Sequence, residues 1–304
     1  MSPSLAVELA GLKLKNPVLP ASGTYGYGRE FLSLIKPDLW GAVITKGVAI
    51  TPWIGNPPPR IAETPAGMLN AIGLQNPGVD RFIAEALPFL RDYQVPVIVN
   101  IVGKTISEYA AVAERLNEHP EVSGFELNIS CPNVKEGGIA FGTDPEVAAQ
   151  VTAAVREVTK LPLVVKLSPN VTDITLIAQK VEAAGADCLS LINTLQGMSI
   201  DIKKRCPVLA NKIGGLSGPA VKPIALRMVW QVYQKVKIPL IGMGGIVSAT
   251  DAIEFIMAGA TAVAIGTGLF KDPMLPQKVI EGIEAFLVEE KLANLSEIRG
   301  VAQD

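Results

Sequence analysis

Eight short apolar, β-branched runs recur along the chain, each closing on glycine or a polar residue: Asn16–Gly23, Gly41–Gly47, Pro96–Gly103, Gly124–Cys131, Leu161–Pro169, Asp187–Thr194, Pro239–Gly245 and Thr261–Gly268. They are continuously apolar rather than alternating, the pattern of strands covered on both faces. Helical patterns lie between them. Val79, Phe82, Ile83, Ala86, Leu87 and Leu90 share one face at helical spacing, as do Val221, Ile224, Ala225, Met228, Val229 and Val232. Asp144-Pro145-Glu146 and Ser248-Ala249-Thr250-Asp251 read as helix starts, and Gly185 and Gly259 as helix stops. Eight strands alternating with helices predict an α/β fold, a single-domain (β/α)8 TIM barrel over residues 1–304. An open doubly wound sheet is the alternative, but Pro20–Gly26 is a poor match to the glycine fingerprint such a sheet places after its first strand.

Three insertions are expected, after strands 2, 4 and 6. Residues 51–77 contain the stiff, polyproline-like Asn56-Pro57-Pro58-Pro59; residues 197–218 hold Lys203-Lys204-Arg205; the third begins at Cys131. Long connections in a compact domain serve as covers or contact surfaces. Residues 4–14 read as a small hairpin across the barrel floor.

Composition narrows the function classes. A chain 49% hydrophobic and 18% charged is not disordered. Twenty-seven basic and twenty-nine acidic side chains, with no Lys/Arg run longer than Lys203-Lys204-Arg205, leave no footprint for nucleic acid. The three cysteines fall at 131, 188 and 206, too far apart for a zinc knuckle, a CxxC pair or a cluster-ligand run, so no metal site is expected. Such sparse cysteine suits a reducing compartment. Met1–Leu5 has no basic stretch leading into an apolar one, and no apolar run approaches the ~20 residues of a membrane helix. The expectation is a cytoplasmic protein without a signal peptide or membrane contact.

In a barrel of this kind chemistry collects where strands end and the following loops begin. Those ends carry Ser22-Gly23, Lys46, Asn100, Asn128 with Cys131, Lys166, Asn193-Thr194, Gly244-Gly245 and Gly266-Thr267. One Asn at a strand end is ordinary turn chemistry. Three Asn and two Lys on one rim point to a binding site. Adjacent strands ending in Gly-Gly and Gly-Thr suit a phosphate held by backbone N–H groups, and Leu216-Ser217-Gly218-Pro219 offers more donors.

The only histidine, His119, lies in a turn away from the rim, which removes the usual general base and every His-based triad. Cys188, inside a strand, and Cys206, beside Pro207, read as small buried residues. Cys131 differs: it roots the glycine-rich segment Cys131–Gly142, placed as a lid would be. A thiol with an ordinary pKa of about 8.5 serves as a base near neutral or mildly alkaline pH. Lys166 has two readings, a fixed positive charge against a cofactor or a Schiff-base lysine.

Asn128-Ile129-Ser130-Cys131-Pro132-Asn133, Met68–Asn76 (MLNAIGLQN), Val165-Lys166-Leu167-Ser168-Pro169 and Gly242-Met243-Gly244-Gly245-Ile246 resemble the dihydroorotate dehydrogenases, a similarity running from about residue 5 to residue 300. The resemblance implies an FMN-containing barrel that oxidises (S)-dihydroorotate to orotate in pyrimidine (UMP) synthesis. It implies Cys131 as the base at C5, with the C6 hydride passing to the flavin. Substrate would be held by Lys46, Asn70, Ala71, Ile72, Gly73, Leu74, Asn128, Asn193 and Thr194, joined by Asn133. FMN would contact Ser22, Lys46, Asn100, Asn128, Lys166, Ile192, Gly218, Gly244, Gly245, Gly266 and Thr267.

A cysteine base resembles the soluble branches of that family, and the overall pattern is most like the NAD+-linked one. That branch implies a homodimer of this chain with an electron-transfer subunit carrying FAD and a 2Fe-2S cluster, a heterotetramer. The alternative within the family is a fumarate-dependent enzyme acting without a partner. Outside it stand a Schiff-base aldolase built on Lys166, a flavin enzyme acting on tRNA uridines, which the charge balance opposes, and a noncatalytic interaction subunit.

Overall fold

The computed structural model describes residues 3–129, 135–136 and 139–303. Each of the eight apolar runs becomes one strand of a single parallel sheet: β1 (Val18–Pro20), β2 (Val43–Ile44), β3 (Val97–Ile101), β4 (Val122–Asn128), β5 (Leu163–Lys166), β6 (Cys188–Leu191), β7 (Leu240–Met243) and β8 (Ala262–Ile265). Neighbours in the sheet are neighbours in sequence, and β8 pairs with β1. Gly41 N–H donates to Val18 O at 3.0 Å, joining β1 to β2 and closing the ring. The fold is the (β/α)8 barrel that the strand pattern predicts.

Alternation along each strand sorts the side chains into two cores. Val97, Val99, Ile101, Phe125, Leu127, Val165 and Leu189 face outward into the helix layer. Leu19, Ile44, Ile98, Val164, Cys188, Ile241 and Ala262 fill the barrel interior, and Leu9 and Leu14 join them from below. Those two leucines come from the predicted floor hairpin, Val7–Leu9 paired with Leu12–Leu14. Two residues further up the strands the interior turns polar: Asn100, Glu126, Lys166 and Ser190, all buried.

The capping signals act as expected. Asp144 accepts from Glu146 N and Val147 N and opens the helix Pro145–Val158; Ser248 accepts from Asp251 N and opens Ala249–Met257. Gly185 and Gly259 follow helix ends with φ of 101° and 118°. The segment at 79–91 departs from one regular helix. Val79–Arg81 and Leu87–Arg91 are α-helical, but Phe82–Ala86 widens into a π-turn. Pro88 explains this, because it has no N–H to donate four residues back.

The two long insertions serve as a cover, as their length suggests, but they are built of strands rather than loops. Ile61–Thr64 and Gly67–Asn70 from the first pair with Ile213–Ser217 and Leu195–Met198 from the second, forming a four-stranded antiparallel cap sheet over the barrel mouth. The Pro58–Pro59 peptide is cis, which interrupts the polyproline geometry that the triple proline suggests.

Candidate active site

The strand ends and the cap sheet enclose a cavity of ≈ 610 Å³. Every described residue that the sequence places at the rim lines it: Ser22, Lys46, Asn70, Ala71, Ile72, Gly73, Leu74, Asn100, Asn128, Lys166, Ile192, Asn193, Thr194, Gly218, Gly244, Gly245, Gly266 and Thr267. Cys131 and Asn133 lie outside the described residues. His119 sits just before β4, at the opposite end of that strand from the rim. Cys188 is buried in the barrel interior, where burial pushes its thiol well above the usual range; Cys206, expected to be buried, is instead exposed, because it lies in the surface pair of Cys206–Pro207 with Ile200–Asp201.

The floor of the cavity is the polar layer. Lys166 Nζ donates to Ser22 Oγ at 2.9 Å and lies 3.9 Å from Glu126 Oε1. Asn100 Nδ2 donates to the same oxygen at 2.6 Å, and Ser190 Oγ donates to Glu126 Oε2 at 2.9 Å. The other end of the Asn100 amide, Oδ1, is buried without a partner among the described residues. A Cβ on Gly47 would lie 3.2 Å from that oxygen, so glycine there leaves it room. A buried acceptor left unpaired on a residue that lines the cavity is a place for a ligand N–H.

Amides and one cation form the wall. Asn193 Nδ2 donates to Asn128 Oδ1 at 3.4 Å, and Thr194 N–H to Asn193 Oδ1 at 2.8 Å. Asn70, in the cap sheet, donates to Gly215 O at 3.4 Å. The Asn70–Asn76 loop is held from outside: Asn56 donates to Ala71 O, and Asn76 donates to Leu74 O while accepting from Ala49 N and Gly78 N. Leu74 takes φ of 52° within it. Lys46 completes the wall. Burial lowers its ammonium pKa; Glu30 opposes the shift and Arg60 adds to it.

The side nearest β7 and β8 is glycine-rich. Gly244 and Gly245 take φ of 129° and 75°. A Cβ on Gly266 would meet nothing nearer than Ala21 at 3.6 Å, so its backbone stands open to the cavity. Gly245 is backed by Lys222, which bonds to Asp251 and to Glu254. Asp251 in turn accepts from Val247 N at 2.9 Å and Ser248 Oγ at 2.8 Å, which pins the turn after β7. Thr267 Oγ1 and Ser217 Oγ approach to 2.5 Å and link this side to the cap.

These residues fit FMN: a row of backbone donors for a phosphate, an unpaired amide acceptor and a lysine for the edge of a ring system. The amide-rich wall suits a flat, anionic, amide-containing substrate. Arg60, Gln196, Asn211 and Phe270 also line the cavity and carry no motif in the sequence, and Gln75, inside the Met68–Asn76 motif, joins them. Glu126 went unmarked as well. Its signal is an acid between Phe125 and Leu127 in an apolar strand, two residues before a rim Asn.

The family model described as dihydroorotate dehydrogenase matches residues 4–287. A protein of Geotalea uraniireducens named dihydroorotate dehydrogenase B (NAD(+)), catalytic subunit, is 60% identical over 298 residues, covering 98% of each chain. The protein of the same name from Pelobacter propionicus is 59% identical over 303 residues, covering 100% of each. Among solved structures, the dihydroorotate dehydrogenase of Eimeria tenella in complex with ferulenol superposes with a TM-score of 0.83 at 23% identity, over 98% of this chain and 88% of that one. That likeness concerns the fold alone.

Proposed function

This chain belongs to the dihydroorotate dehydrogenase family, and we propose from that premise that it oxidises (S)-dihydroorotate to orotate in pyrimidine synthesis. In this reading it binds FMN in the cavity and passes the electrons to NAD+ through a partner subunit. The observation that carries the reading is the convergence of the rim residues on one cavity with a glycine-rich side and an amide-rich wall.

Substrate lies against the amide wall. Lys46 pairs with its carboxylate, while Asn70, Asn128, Asn193 and Thr194 bond the ring amides and fix its plane. Cys131 removes the C5 proton as the C6 hydrogen departs as hydride, leaving the C5–C6 double bond of orotate. Bound FMN supplies the hydride acceptor. Lys166, held by Ser22 and Glu126, puts a positive charge on the cavity floor where negative charge arrives. Gly244, Gly245, Gly266, Thr267 and Gly218 offer backbone donors to the phosphate, and Asn100 Oδ1 accepts from a ring N–H.

The relatives named as catalytic subunits of an NAD+-linked enzyme support a second subunit. This chain's three cysteines cannot form a cluster-ligand run, which supports assigning the 2Fe-2S cluster to that partner, and the proposal places FAD there with it. The assembly proposed is a homodimer of this chain with two such subunits, in the cytoplasm. No helix among the described residues is long and apolar enough to cross a membrane.

The test is anaerobic. The purified chain is expected to be yellow and to bleach on adding dihydroorotate. Reoxidation by NAD+ is expected only with the electron-transfer subunit present. Rapid reoxidation by fumarate without a partner overturns the NAD+ assignment. A colourless protein trapped by borohydride at Lys166 overturns the flavin reading altogether.

A further inference from the structure

Among the described residues Glu126 is the one acid in the polar layer beneath the cavity, and it is fully buried at 0% exposure. Its two oxygens do different things. Oε1 takes the Asn100 amide at 2.6 Å and faces Lys166 Nζ at 3.9 Å; Oε2 takes the Ser190 hydroxyl at 2.9 Å. An amide has a donor end and an acceptor end. With Nδ2 held by the carboxylate, Oδ1 is the free end of Asn100, a residue that lines the cavity, and that is the atom left unpaired among the described residues. The same carboxylate sets the charge of the floor. A buried ammonium alone would be a full positive charge in a low-dielectric site; beside Glu126 it is half of an ion pair.

We infer that Glu126 is a positioning residue: it fixes the Asn100 amide with its carbonyl toward the flavin and moderates the Lys166 charge, which sets the flavin's reduction potential. The inference rests on the FMN reading above. Oxidised flavin offers a ring N–H to an acceptor, and the reduced form carries negative charge that Lys166 stabilises. An unmoderated Lys166 would favour the reduced form too strongly. The flavin would then accept electrons readily and release them poorly to the next carrier. Glu126 holds the cofactor at a potential from which it can be reoxidised.

The experiment is a spectroelectrochemical titration of the holoprotein, with wild type, Glu126→Gln and Ser190→Ala compared. Glutamine keeps the shape. Its carbonyl accepts from Asn100 and its amide donates to Ser190, whose hydroxyl turns to accept. Only the charge is lost. The ratio of reduced to oxidised FMN affinity is expected to rise about tenfold, a positive shift of about 30 mV for a two-electron couple. Ser190→Ala leaves the carboxylate with one donor fewer and more of its charge toward Lys166, so a smaller negative shift is expected. A merely structural Glu126 would change melting temperature and leave the potential unmoved, and that result overturns the inference. If Glu126→Gln does not fold, Ser190→Ala decides: an unchanged or raised potential overturns it. A wild-type protein without flavin would instead sink the FMN reading itself.

Discussion

Thr194 occupies the space that a side chain on Gly215 would need: a Cβ there would lie 2.0 Å from Thr194 Oγ1 and 2.6 Å from its Cβ. Gly215 belongs to the cap sheet and Thr194 follows β6, so this contact seats the cap on the barrel rim. Gly215→Ala must push Thr194 and the neighbouring Asn193 amide out of place. The expected result is a loss of about 10- to 100-fold in kcat/KM for dihydroorotate, mostly in KM, with FMN content unchanged. Steady-state kinetics beside a flavin-to-protein ratio check it; a variant with normal KM would detach Thr194 from substrate binding.

Lys46 makes substrate binding sensitive to alkali. Burial lowers its ammonium pKa from 10.5, so the positive charge is lost at a less alkaline pH than on a surface lysine. KM for dihydroorotate should therefore climb as pH rises through that lowered value, and Lys46→Met should show a high KM with a flat profile. The stability sign is opposite. The unfolded chain holds this proton more tightly, so the charged Lys46 opposes folding at neutral pH and stability rises as it deprotonates. Lys46→Met should accordingly melt higher than wild type at pH 7.

Gly245→Ala tests the phosphate side. The new methyl would meet Lys222 Cβ at 2.7 Å, and φ of 75° disfavours any side chain by about 1–2 kcal/mol. Apoprotein of this variant should bind FMN at least tenfold more weakly in a fluorescence titration, while dihydroorotate KM in FMN-saturated enzyme stays near normal. Equal FMN affinity would place the phosphate elsewhere.

Asp251 locks the turn after β7. Burial would raise its pKa, but the Lys222 hydrogen bond and the Val247 and Ser248 donors outweigh that and hold it below 3.8. Its stabilising contribution is present above that value and lost as pH falls through the folded-state pKa. Asp251→Asn should cost about 1–3 kcal/mol at pH 7, and the gap to wild type should close in strong acid. Thermal melts across the acid range give the comparison; a gap independent of pH contradicts this account.

Cys131→Ser keeps the size of the proposed base and weakens its acidity. Flavin reduction by dihydroorotate, followed by stopped flow at neutral pH, should slow by about 10²–10⁴-fold. An unchanged rate removes Cys131 from the base role.

Most of this site was legible because its residues sit at strand ends, and strand ends follow from local pattern. Asn128 and Lys166 end their strands, Asn100 stands one residue before the end of β3, each interrupts an apolar run in the sequence, and each reaches the cavity. The cap sheet was not legible. Gly67–Asn70 and Ile213–Ser217 are short and lack strong alternation, and their pairing spans well over a hundred positions, which no local window contains. Glu126 was missed for a related reason. Alternation shows that it points inward, but its partners Asn100 and Ser190 come from other strands. Pro88 was visible, yet its effect on the helix depended on packing that kept the chain helical across it.

The cap joins one insertion from the first quarter of the chain to another ending at Ser217. During synthesis, the hairpin at residues 61–70 must wait without its cap partner Ile213–Ser217 until residue 217 has left the ribosome. The cover over the cavity is thereby completed only once more than two thirds of the polypeptide exists. A lengthening or shortening of either insertion would have to be matched by the other for the mouth to keep its outline.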